Sequence, residues 1–124
     1  MKLIGSFGWI EYFSDGPLAT KYAPYIEDVN ENNTVTPTVV VYEVYKRLKK
    51  EKGEQVALEA YAQMTRSKLV PLDDALALSA ADTSLKMGLA MADSIVFTTA
   101  KIFSADLVTS DPDLKGLNGV RLVE

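Results

Sequence analysis

The chain has 124 residues, 48% of them hydrophobic and 24% charged, with a formal net charge of -4, the composition of one ordinary soluble globular domain, residues 1–124. It contains no Cys and no His, which excludes thiolate and imidazole metal sites, disulfide frameworks and His-activated nucleophiles, so any catalysis rests on carboxylates, Lys, Tyr or hydroxyls. An acidic body is also not one that coats nucleic acid by bulk charge.

The chain opens with a short β-type run, Lys2-Leu3-Ile4, and then a helical turn or two carrying Trp9, Ile10, Tyr12 and Phe13. From Pro17 to Asn30 the apolar residues Leu18, Tyr22, Tyr25, Ile26 and Val29 recur at threes and fours, which predicts an amphipathic helix. Thr34-Val35-Thr36 reads as a strand. Thr36 then serves as N-cap, with Pro37 at the first helical position, for a helix that runs to Gly53. Gly53 to Ser67 continues as helix, and Leu69 to Leu72 is a strand whose Pro71 places it near an edge or an end.

Asp73 or Asp74 caps the next helix, which runs to Gly88. Asp93 opens another, whose apolar stretch from Ile95 to Phe103 suits a helix buried between layers. Ala105 to Thr109 is a strand, Asp111-Pro112 a turn, and Val120 to Val123 a last strand. Strands alternating with helices long enough for crossovers predict a three-layer α/β/α domain around a mainly parallel central sheet. No uncharged run approaches the ~20 residues of a membrane span, and the absence of Cys suits a cytoplasmic setting.

In open α/β sheets, ligands bind outside the carboxyl ends of the strands. That rule selects Gly5 and Ser6 after the first strand, Glu43 in the helix after the second, Asp93, and Thr109-Ser110-Asp111. Each has an ordinary structural reading: Asp93 as a helix cap, Asp111 as the start of an Asp-Pro turn, Gly5 as permissive backbone. Glu43 is harder to dismiss, because it lies within Val39-Val40-Val41-Tyr42-Glu43-Val44-Tyr45, where an acid either faces solvent or is held for a purpose. If Glu43, Asp93 and Asp111 converge, their repulsion calls for a hard, oxygen-loving cation, Mg²⁺ or Mn²⁺, the equipment for hydrolysing a phosphodiester. Lys46, Arg47, Lys49, Lys50 and Lys52 form a local basic stripe beginning three residues after Glu43. It is either the solvated end of a helix or a track for an RNA backbone, the latter through Lys46, Arg47, Lys49 and Lys50.

The ordered set Leu3-Ile4-Gly5-Ser6 with Trp9 to Phe13, Thr36 to Val44, Ala92-Asp93-Ser94-Ile95 and Leu107 to Leu114 resembles the PIN-domain nucleases, and among them the VapC-type ribonuclease toxins of toxin-antitoxin pairs. The resemblance spans the whole chain. It implies a Mg²⁺- or Mn²⁺-dependent endoribonuclease acting on structured RNA, with Glu43, Asp93 and Asp111 as catalytic metal ligands and Ser6, Thr109 and Asp113 in support. It further implies a homodimer and a small antitoxin whose C-terminal segment lies along the acidic groove. No DNA or membrane partner is expected.

The sequence departs from the family pattern at the first acid, where Gly5 stands in place of Asp. Glu11 and Asp15 follow on the next helix or loop and are poor substitutes. Loss of one carboxylate predicts weakened metal binding and a weakened or inactive enzyme. The alternative is a PIN scaffold that binds RNA or protein without cutting. A phosphoryl-accepting response-type domain fits less well, because no paired acids follow the first strand.

Overall fold

The computed structural model describes every residue from Met1 to Glu124. Its elements in chain order are β1 (Lys2–Ile4), α1 (Ser6–Phe13), α2 (Ala19–Ile26), β2 (Val35–Pro37), α3 (Thr38–Lys52), α4 (Glu54–Met64), β3 (Lys68–Val70), α5 (Asp74–Met87), α6 (Met91–Ile102), β4 (Asp106–Thr109), a 3-10 turn (Pro112–Leu114) and β5 (Val120–Leu122). All strand pairings are parallel: β1 with β4, β4 with β5, and β2 with β3. A single parallel bridge from Lys2 to Thr34 joins the two ladders, so the strands lie side by side as β3-β2-β1-β4-β5.

Side chains alternate across a strand, and here the alternation assigns the two layers of helices. Ile4 and Val108 face one way, into a core shared with Trp9, Tyr22, Val44 and Met64 of α1 to α4. Leu3, Val35 and Leu107 face the other way, against Phe97 and Ala100 of α6, while Leu76 and Ala80 of α5 pack on Ile95. Helices on both faces of a parallel sheet make the predicted three-layer α/β/α architecture. No helix is long and apolar enough to cross a membrane.

Several boundaries differ from the sequence reading for local reasons. Thr36 does not cap α3: it lies in β2 with Pro37, its hydroxyl meets the buried Ser67 hydroxyl at 2.7 Å, and the helix begins at Thr38. Strand pairing with β3 outcompetes the cap. The Pro17 to Asn30 stretch yields the shorter Ala19–Ile26, with Pro24 inside it. Beyond it, the Asn30 carboxamide oxygen accepts the backbone N–H groups of Asn32 and Asn33 at 2.8 and 3.0 Å, a local turn that competes with further helix. Strand β3 stops before Pro71 and is an edge strand, as its proline suggests. Asp73 caps α5 by accepting the Leu76 N–H at 2.8 Å. Helix α6 starts two residues before Asp93, which therefore sits in the first turn rather than opening the helix.

Where α1 crosses α2, glycine is required: a β-carbon on Gly8 would lie 2.4 Å from the Tyr22 ring. That close approach seats the fully buried Tyr22 beneath the end of β4.

Candidate active site

The strand order reverses between β1 and β4, because the chain steps from β1 to β2 and β3 on one side and later from β4 to β5 on the other. Such a switch point opens a crevice beyond the carboxyl ends of the two strands. Gly5 enters it from β1, and Thr109-Ser110-Asp111 enters it from β4.

Gly5 donates its N–H to the Val108 carbonyl oxygen at 3.0 Å. Its φ of -66° and ψ of 161° are extended backbone open to any residue. A β-carbon built there would meet only the Val108 carbonyl oxygen, at 3.6 Å, an ordinary contact. The fold therefore does not need glycine at position 5, which removes the permissive-backbone explanation.

After β4, local hydrogen bonds set the loop. The Thr109 hydroxyl accepts the Asp111 N–H at 3.1 Å, and Asp111 Oδ1 accepts the Asp113 N–H at 2.9 Å, so Asp111 caps the 3-10 turn that carries Asp113. Ser110 is held from below by the Tyr22 hydroxyl at 2.5 Å. Burial pushes the Tyr22 phenol above its ordinary value, with the Ser110 bond acting in the opposite direction. The sequence marks Tyr22 only as one of the apolar-spaced residues of an amphipathic helix and gives no sign of this bond beyond a Tyr in place of a Phe.

Asp93 retains solvent exposure, yet its carboxyl is raised above the usual range, first by partial burial and then by the charges of Asp111 and Asp113. Those three acids share one field. Glu43 is held by α1: the Ser6 hydroxyl donates to its Oε1 at 2.5 Å, tying α1 to α3. No three acidic side chains come together closely enough to hold a metal ion. Hard oxygen donors suit Mg²⁺ or Mn²⁺ in kind, but the residues present do not make a complete site for either.

The basic stripe divides. Lys46, Arg47 and Lys50 line a groove of about 650 Å³ between α1 and α3 together with Ser6 and Glu43. Lys49 does not join them: its ammonium lies 5.4 Å from the Tyr45 ring centre and 4.0 Å from Glu54. Glu11 also lines the groove, its carboxylate folded over Gly16, and Asp15 sits at the end of α1 with φ 57°.

The PIN domain family model matches residues 8–120 of this sequence. The chain belongs to the PIN-domain family. The match begins beyond Gly5 and Ser6, so it leaves position 5 to the structure. No curated protein matches the chain in sequence. Among solved structures, this PIN domain superposes on a chain of a toxin-antitoxin complex from Klebsiella pneumoniae with a TM-score of 0.80 at 20% identity, covering 98% of this chain and 96% of that one. It matches the sarcin-ricin-loop-cleaving toxin VapC20 of Mycobacterium tuberculosis with a TM-score of 0.75 at 12% identity, covering 93% and 92% of the two chains. A chain of VapBC2 from Rickettsia felis, bound to a promoter DNA fragment, gives 0.71 at 16% identity, covering 98% and 96%. At these identities the likeness establishes the shared PIN fold.

Proposed function

We propose that this PIN domain is the RNA-cleaving toxin of a toxin-antitoxin pair, a Mg²⁺- or Mn²⁺-dependent endoribonuclease left weakened or inactive by Gly5. The observation that carries the proposal is at position 5, where the end of β1 has both room and backbone geometry for a carboxylate, in the crevice that also receives Asp111. The names of the solved neighbours, a toxin-antitoxin complex and a sarcin-ricin-loop-cleaving toxin, support the same reading.

Asp93, Asp111 and Glu43 are the residues we assign to a divalent ion once position 5 adds an oxygen donor. When bound, such an ion would supply Lewis-acid polarisation of a phosphodiester. The other groups prepare the site: Ser6 orients Glu43, Thr109 fixes the Asp111 backbone, and Asp113 adds negative charge beside Asp93. Lys46, Arg47 and Lys50 offset the repulsion between these acids and an incoming phosphate backbone.

A cytoplasmic antitoxin that places a basic side chain among Asp93, Asp111 and Asp113 would relieve the mutual repulsion there. We assign self-association to the apolar groove where Leu85 and Met91 project, 87% and 74% exposed, over Ile95. The promoter DNA belongs to the Rickettsia felis complex, and the acidic balance of this chain gives it no bulk attraction for DNA.

A second reading, a PIN scaffold that binds without cutting, is favoured by the lack of three converging acids. Cleavage of a panel of tRNAs and rRNA hairpins by Gly5→Asp decides between them: chelator-sensitive products support the nuclease, and none from a folded protein supports the scaffold.

A further inference from the structure

The hydrogen bond from Ser6 to Glu43 crosses the groove between α1 and α3, and an adjacent residue on each helix places an aromatic ring in the groove lining. Phe7 follows Ser6 and is 50% exposed; Tyr42 precedes Glu43 and is 62% exposed. Single exposed rings need no explanation. Two of them flanking the one hydrogen bond that ties these helices at the site are a different matter.

Resting on the nuclease reading, we propose that Phe7 and Tyr42 are base-stacking residues that hold unpaired nucleotides of the RNA in this groove. Both rings are braced. Phe7 meets Tyr22 edge-on with centroids 6.4 Å apart, and Tyr22 in turn holds Ser110. The Lys46 ammonium lies 5.5 Å from the Tyr42 ring centre. A flat ring beside a cation is the pairing that single-stranded nucleic acid uses, base on ring and phosphate on ammonium.

The charges of the lining fit an RNA strand. Glu43 accepts from Ser6 and Glu51 is paired with Arg47 at 2.6 Å, and Glu11 is folded over Gly16. Lys46 and Lys50 carry no ion pair and remain available to phosphates. Among the lining residues only Phe7, Ile10 and Tyr42 are apolar, too few to seat the apolar face of a partner helix.

The test uses the chain with Gly5 unchanged and no added metal, so that binding is read without cleavage. The probe is an eight-nucleotide oligo(A) RNA carrying one 2-aminopurine. Stacking on a ring quenches the probe, and Phe7→Ala or Tyr42→Ala should weaken binding roughly 5- to 150-fold with the quench lost. Their salt slopes should match the parent's, whereas Lys46→Gln and Lys50→Gln should each flatten the slope by about 0.7. Phe7→Tyr and Tyr42→Phe should keep both affinity and quench. Phe7→Leu and Tyr42→Leu, which retain apolar bulk without a ring, should lose them.

If the oligonucleotide binds and the lysine variants weaken it while the Ala and Leu variants bind and quench like the parent, the stacking proposal is overturned and the RNA reading survives. If no form binds the RNA, both fall, and the groove passes to a protein partner.

Discussion

Gly5 and Val108 meet at the ends of β1 and β4, where one N–H···O=C bond of 3.0 Å leaves an outward β-carbon position 3.6 Å from the same carbonyl oxygen. Nothing there resists a side chain. Gly5 is also the residue that caps α1, and its helix end has no side-chain cap. Gly5→Asp should therefore fold normally, with stability within about 1 kcal/mol of the parent in metal-free buffer. Titration calorimetry should show Mn²⁺ binding at least about 10-fold tighter in the substituted protein. Equal affinities would place position 5 outside the site.

The raised carboxyl of Asp93 has a consequence for stability. Its native pKa lies above the ordinary 3.8 through burial and through the charges of Asp111 and Asp113, so between the two values the folded protein holds a proton that the unfolded chain has released. The ionised form is thus disfavoured in the native state: stability linked to this group is fully present below the unfolded pKa and declines as pH rises through the raised one. Asp93→Asn should raise the melting temperature at pH values above the raised pKa, and the difference should shrink as pH falls through it toward 3.8. A gain that persists unchanged in acid would point to packing rather than charge.

Tyr22 and Ser110 should act as a pair. Tyr22→Phe keeps the ring that packs against Gly8 and removes only the hydroxyl that reaches Ser110 at 2.5 Å. A loss of about 0.5–1.5 kcal/mol in urea unfolding is expected. Ser110→Ala on top of it should cost much less than it does alone, because the shared bond is already gone. Strict additivity of the two would show that the bond contributes nothing.

The basic stripe should divide in solution as it does in the fold. Neutralising Lys46 or Lys50 should flatten the salt dependence of RNA binding, while Lys49→Gln, whose ammonium is turned to Tyr45 and Glu54, should leave it unchanged. Equal effects from all three would mean that the charge acts diffusely and the groove does not direct it.

The architecture was readable in the sequence because its signals are local and repeated: apolar spacing in the helices, short β-type runs between them, and stops at Gly53 and Gly88. What escaped it depended on contacts across the chain. The start of α3 shifted because Thr36 pairs with Ser67, thirty-one positions away, and no window around Pro37 contains that information. The site was legible as a set of positions, since Gly5, Asp93 and Asp111 fall at ends of strands and helices. Its internal partition was not. Ser6 holds Glu43, while the charges of Asp111 and Asp113 act on Asp93, and these neighbours are set by packing between elements distant in the chain.

The most direct measurement of the central claim is a side-by-side cleavage time course of the parent and Gly5→Asp on structured RNAs in Mn²⁺, with Glu43→Gln, Asp93→Asn and Asp111→Asn each placed on the Gly5→Asp background. The parent should be slower by roughly 10²-fold or more, and each amide should return the substituted protein toward the parent's rate. A parent that cleaves as fast as Gly5→Asp, or a folded Gly5→Asp protein with no metal-dependent cleavage, would contradict the account.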